Sequence, residues 1–221
     1  MAGDTSWKDK PVQAWTFNDA RQVLADSPWS RLTIGAIHRL ETEDERRSGG
    51  EMGQEHGVGY DGIDGHPTAK QTAATFFTAK PGAKSPPRQD VKLMVRWESA
   101  LPVRTAELKT GFIEPPVSES EGYSLAVYGV PGDYFNGDPK KLGAPLKANA
   151  LLKREGKPDV KPSRVEVFQR SDGIVVVYVF PLSAEITSRD GLLEFDAHIG
   201  RLGFVQYFDT AVMLFQGRFE L

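Results

Sequence analysis

Cysteine is missing from all 221 residues. Its absence excludes a disulfide framework, a thiolate nucleophile and any Cys-ligated zinc or iron–sulfur site, and leaves the cellular compartment open. Long apolar runs are missing too: the longest, residues 174–180, falls far short of the roughly 20 residues a membrane-crossing helix needs. Nor is one sign of charge in excess. Lys and Arg total 27 against 30 Asp and Glu, a formal net charge of −3, so no global electrostatic footprint marks a nucleic-acid binder. The first ten residues are polar around Trp7 and lack the apolar stretch of a secretory signal, so the chain as written reads as cytoplasmic or already processed.

What is present fits an ordinary globular protein, with 39% hydrophobic residues and 22 glycines. That length suits one domain, residues 1–221, carrying an insertion. Thr16 followed by Asp19 has the form of a capping box, with Ala20, Val23 and Leu24 on one helical face and Pro28 as the stop. Residues 31–40 read as a strand, with Ile37 and Leu40 disturbing its period at a bulge. Residues 41–66 carry eight acids, two arginines and seven glycines with few large apolar side chains. Such a stretch cannot bury enough surface to offset its ordering entropy, so residues 41–70 are expected to form a disordered or mobile insertion.

A strand is expected over residues 71–79. The clearest period of two follows, with Val91, Leu93, Val95 and Trp97 alternating with Lys92, Met94, Arg96 and Glu98. Ser99 as cap and Pro102 in the first turn predict a short helix over residues 102–108. Residues 123–130 read as a strand. Gly143 and Pro145 limit any helix after Pro139 to about a turn, and residues 147–154 are expected as a strand joined by a hairpin-like connection to residues 164–170. Ser171, Asp172 and Gly173 then turn the chain into the strand 174–180, forming a β-hairpin. Further strands are expected at 192–199, 204–208 and 218–221. With eight to ten short strands, few helices and no strand–helix alternation, the expected class is α+β, mainly antiparallel β, as a sheet or sandwich with a short N-terminal helix and one long flexible loop.

The string WTFNDARQVLADSPW (residues 15–29), VRWESALPVR (residues 95–104) and the terminal GRFEL together resemble an uncharacterised exported protein family of acidobacterial type. The resemblance brings no activity and no catalytic residues. What it implies is a place in the periplasm or cell envelope, with the signal peptide missing or removed.

Several residue groups invite chemical readings. Gly57, Gly59 and Gly62 match the spacing of a dinucleotide-binding loop, but no apolar strand precedes them and Gly65 and Pro67 stand where a helix should run. His56, Asp61, Asp64 and His66 collect imidazole and carboxylate ligands that could hold a divalent metal, although the spacing matches neither an EF-hand nor a zincin helix; the alternative is a solvated acidic loop. Ser124, Asp196 and His198 stand in the order of an α/β-hydrolase triad, yet Ser124 lacks the strand–turn–helix elbow, and Asp196 and His198 fall on one solvent-facing side of a strand. Residues 140–170 hold nine basic and three acidic residues, which fits either polyanion binding or internal charge balance. The tryptophans could form an exposed platform for a glycan or protein partner, but burial is expected for Trp15, Trp29 and Trp97, with Trp15 and Trp29 clamping the first helix. His38 reads as an ordinary strand residue. By elimination the sequence points to a non-catalytic binding or structural module of the bacterial envelope, with no cofactor and no nucleic-acid partner. The rival is a metal-assisted hydrolase built on His56, Asp61, Asp64 and His66.

Overall fold

The computed structural model describes residues 6–37, 90–111, 122–132, 139–170 and 173–221, all within one unit formed by residues 1–38 and 89–221. The expected insertion over 41–70, the strand over 71–79 and His38 lie outside the described residues. Among those described, three α-helices accompany eleven strands, and nine antiparallel strands form a curled half-barrel sheet. The mainly antiparallel α+β class is therefore what the chain adopts.

Helix α1, Phe17–Ala25, starts where the sequence places it: the Thr16 hydroxyl accepts from the Asp19 amide while the Asp19 carboxylate accepts from the Thr16 amide. It ends at Asp26, before Pro28 is reached. Strand β1 is Ser30–Ile37 and β2 is Asp90–Trp97. Their pairing runs unbroken from Ser30–Arg96 to Ala36–Asp90; the bulge expected at Ile37 and Leu40 falls at the end of β1 and beyond it, outside the described residues at Leu40. Helix α2, Leu101–Thr110, is longer than predicted and is not capped by Ser99. Ala100 holds the cap position, because the Ser99 hydroxyl is occupied accepting from the Ser124 amide of β3, Gly122–Val130. Gly111, at φ 74°, closes the helix in the left-handed conformation that favours glycine.

Helix α3, Pro139–Ala148, corrects the expectation of a single turn. Pro145 sits inside it at the cost of one backbone hydrogen bond, and the Asn149 amide still reaches the Pro145 carbonyl at 3.2 Å. Strand β4, Ala150–Arg154, turns at Glu155 and Gly156 into β5, Lys157–Val160. This hairpin replaces the expected link to β6, Arg164–Arg170, which pairs instead with β7, Gly173–Pro181. Gly156, at φ 68°, makes so tight a reversal possible. Strands β8, Leu192–Ile199, and β9, Leu202–Asp209, form a second full-length hairpin. The short pair β10, Leu214–Phe215, and β11, Arg218–Phe219, ends the chain.

The sheet order is β5-β4-β8-β9-β1-β2-β3-β7-β6. Strands β7 and β8 are five positions apart, roughly 24 Å if the sheet were flat. Yet the rings of Tyr178 and Phe195, one on each, have centroids 5.2 Å apart. Curling brings the two ends of the sheet face to face, and the enclosed side fills with Leu93, Val95, Trp97, Leu125, Tyr178, Phe180, Phe195 and Phe208. At one end Trp7, Trp15, Trp29 and Phe215 pack together with centroids 5.5–6.5 Å apart, edge-on except for the tilted Trp7–Trp29 pair. The Trp29 indole N–H donates to the Glu220 carbonyl. Burial of Trp15, Trp29 and Trp97 is as expected, and Trp7 is buried with them, so none of the four is an exposed platform.

Candidate functional site

Opposite Trp97, the other face of β2 presents Met94 and Arg96. Tyr128 of β3 lies diagonally across from Arg96, since Met94 pairs with Tyr128 and Arg96 with Ala126. Helices α1 and α2 pack against each other over this face. Helix α2 buries Pro102, Val103, Ala106 and Glu107, so a carboxyl occupies a place that helical spacing otherwise gives to apolar side chains.

Four side chains form the resulting polar cluster. Arg96 donates from Nη1 to Glu107 Oε1 at 3.2 Å and from Nη2 to the Leu24 carbonyl at 3.1 Å. Glu98 Oε1 lies 3.7 Å from Arg96 Nη1 and accepts from the Tyr128 hydroxyl at 2.6 Å. The Arg96 guanidinium stands 4.7 Å above the Tyr128 ring, a cation–π contact shielded from water. Glu98 and Glu107 are buried almost completely.

One arginine cannot neutralise two carboxylates. Burial first, and then the charge of Glu98, push the Glu107 carboxyl from its ordinary value of 4.5 up to about 9. Glu98 Oε2 and Glu107 Oε2 otherwise have no donor, and the two carboxyls lie within hydrogen-bonding reach. The arrangement that satisfies both is a proton held on Glu107 and donated to Glu98, leaving one negative charge for Arg96. Burial, with the adjacent Glu98 charge, also keeps the Tyr128 hydroxyl protonated far above its usual range.

In front of this cluster lies a crevice of about 420 Å³ walled by Phe17, Arg21, Leu24, Ala25, Met94, Arg96, Thr110 and Tyr128. That volume falls within the range of small-molecule sites, roughly 300–1,000 Å³. Its polar groups are mostly engaged. Thr110 donates to carbonyls of its own helix, Tyr128 is committed to Glu98, and Arg96 to Glu107 and Leu24. Neither glutamate is among the described lining residues, so the paired acid supports the crevice from behind rather than opening into it.

The residues singled out from sequence fare differently. His56, Asp61, Asp64 and His66 lie outside the described residues, as do Gly57, Gly59 and Gly62. Among the described residues no group of three or more His, Asp or Glu is placed to hold a metal ion. Ser124 is buried on β3, on the face it shares with Ala126, away from the enclosed core, while His198 is exposed on the outward side of β8, four strands away in the sheet order, so the two stand on the diverging outer face of the curled sheet. Asp196 is occupied by Lys153, which it shares with Glu194. Within the basic stretch 140–170, four cations have ion-pair partners among the described residues. Lys153 pairs with Glu194 and Asp196, Arg154 and Lys157 with Asp190, and Arg164 with Glu166. No family model, curated protein or solved structure matches the chain.

Sequence reading passed over Arg96, Glu98, Glu107 and Tyr128. A signal was present. Glu107 recurs four residues after Val103 and one after Ala106, on the apolar stripe of a helix that directly follows an Arg-x-Glu strand end.

Proposed function

We propose that the protein is a non-catalytic binding module and that its site is the crevice between α1, α2 and the outward face of β2 and β3. The observation that carries this reading is the make-up of the crevice: apolar walls from Phe17, Leu24, Ala25 and Met94, with Arg96, Tyr128 and Thr110 already hydrogen-bonded to the fold. Catalysis needs a nucleophile or an acid–base group that reaches the substrate. Glu107, the buried acid behind the crevice whose pKa is displaced upward, is turned into the protein. Placement in the bacterial cell envelope is part of the proposal and rests on the resemblance of residues 15–29, 95–104 and 217–221 alone.

The test is a methyl-detected NMR titration of the full chain with a panel of small amphiphiles of different charge, together with metal analysis of the purified protein. Shifts gathering at Ala25, Leu24 and Met94 without turnover support the module. Stoichiometric metal with hydrolytic activity, lost on substituting His56 or His66, would replace it by the metal-assisted hydrolase.

A further inference from the structure

Resting on that reading of the crevice, we propose that its ligand is an amphipathic organic monoanion: a carboxylate on a slender apolar body. The body lies against Phe17, Leu24, Ala25 and Met94, and the head meets Arg21 at the mouth.

Charge decides the sign of the head. Arg21 is exposed, sits 5.9 Å over the Phe17 ring and has no ion-pair partner among the described residues. The other charged residues of the helix and its end are committed elsewhere, Asp19 to Lys10 and Asp26 to Arg31. No carboxylate is among the described lining residues, so nothing there would receive an ammonium group. Behind the wall, Arg96 is offset by Glu98, and Glu107 holds its proton. Arg170, 5.9 Å over the Tyr128 ring, has a partner of its own, so among the described residues Arg21 is the cation at the mouth left without an ion pair. A single arginine balances one charge, which suits a carboxylate; a polyphosphate or nucleic-acid backbone calls for a cluster of cations. Volume and wall chemistry decide the body. About 420 Å³ accommodates a small molecule and not a folded partner, and Met94 supplies an unbranched, adaptable side chain to follow its shape.

The experiment compares decanoate with decanol by calorimetry on the full chain and on two variants at exposed positions, Arg21→Gln and Ala25→Trp. Wild-type protein is expected to bind decanoate about fivefold tighter than decanol, the size of one exposed ion pair. Arg21→Gln should erase that preference by weakening decanoate alone. Ala25→Trp, which fills the crevice, should abolish both. Equal binding of the two probes, unaffected by Arg21→Gln but lost in Ala25→Trp, would overturn the anion and leave the crevice standing as the site. Binding of neither probe, or binding untouched by Ala25→Trp, would overturn the crevice reading itself.

Discussion

Glu107 and Asp190 are both buried carboxyl groups, and the fold treats them in opposite ways. Asp190 receives Arg154 and Lys157, two cations, together with the Thr187 amide and hydroxyl. Burial works against its charge, but Lys157 and Thr187 outweigh it and hold the carboxyl below its ordinary value. Its stabilising effect is thus present above pH 3.8 and is lost as acid protonates it. Glu107 shares one arginine with Glu98 and keeps its proton. Above the ordinary carboxylate value the unfolded chain has released that proton while the fold retains it, so stability falls as pH rises from 4.5 to about 9 and then levels off. In Glu107→Gln this limb is absent. The melting temperature of the variant relative to wild type is expected to climb steadily across that range; a constant difference would mean that Glu107 is already ionised. Asp190→Asn removes the charge that offsets the buried Arg154 guanidinium and should cost about 3–5 kcal/mol at neutral pH, measured by urea unfolding. A loss under 1 kcal/mol would reduce the cluster to a surface ion pair.

At the scale of elements, α3 is where local preference and observed structure disagree most. Pro145 and Gly143 argue against a helix, yet ten residues are helical. Packing supplies the reason. Leu146 is buried and Leu142 packs against the core, while a methyl group on Gly143 would stand only 3.0 Å from the Val165 carbonyl of β6. The glycine lets the helix lie close on the strand. Lys147 then donates to the Ser163 carbonyl at 2.7 Å. Pro145 is exposed and contributes no such contact, so Pro145→Ala is expected to restore a helical hydrogen bond and raise stability by about 1–3 kcal/mol. A fall in the denaturation midpoint would show that the proline has a packing role. By contrast α1 needs no tertiary help to begin: Thr16 and Asp19 cap each other within three residues.

Over the whole molecule, the curl of the sheet depends on rings that meet across it. Phe195 of β8 touches Tyr178 and Phe180 of β7 and Phe204 of β9, with centroids 5.2, 6.1 and 5.8 Å away. Removing that ring in Phe195→Ala deletes the contact between the two ends of the sheet. It is expected to cost about 3–5 kcal/mol, more than the same change at the exposed Phe17 of α1; equal costs in equilibrium unfolding would refute the keystone role. The curl also places the crevice. With aromatic side chains filling the enclosed side, the described crevice lies on the outward face, between α1, α2 and strands β2 and β3.

Sequence alone determined the strand faces, the α1 capping box and two hairpins, β6–β7 and β8–β9, because alternation, caps and turn residues act over a few neighbouring positions. It also determined that Trp15, Trp29 and Trp97 go inside, since their apolar surface has nowhere better to be. Only the tertiary structure decided that β4 and β6 lie near opposite ends of one sheet, that Ser124 and His198 fall on strands four apart, and that Glu98 and Glu107 are buried together beside Arg96. Those outcomes depend on which distant segments become neighbours. A residue's charge state, like a cavity's position, is set by the desolvation and fields those neighbours create, and the period of a single strand or helix carries no record of them.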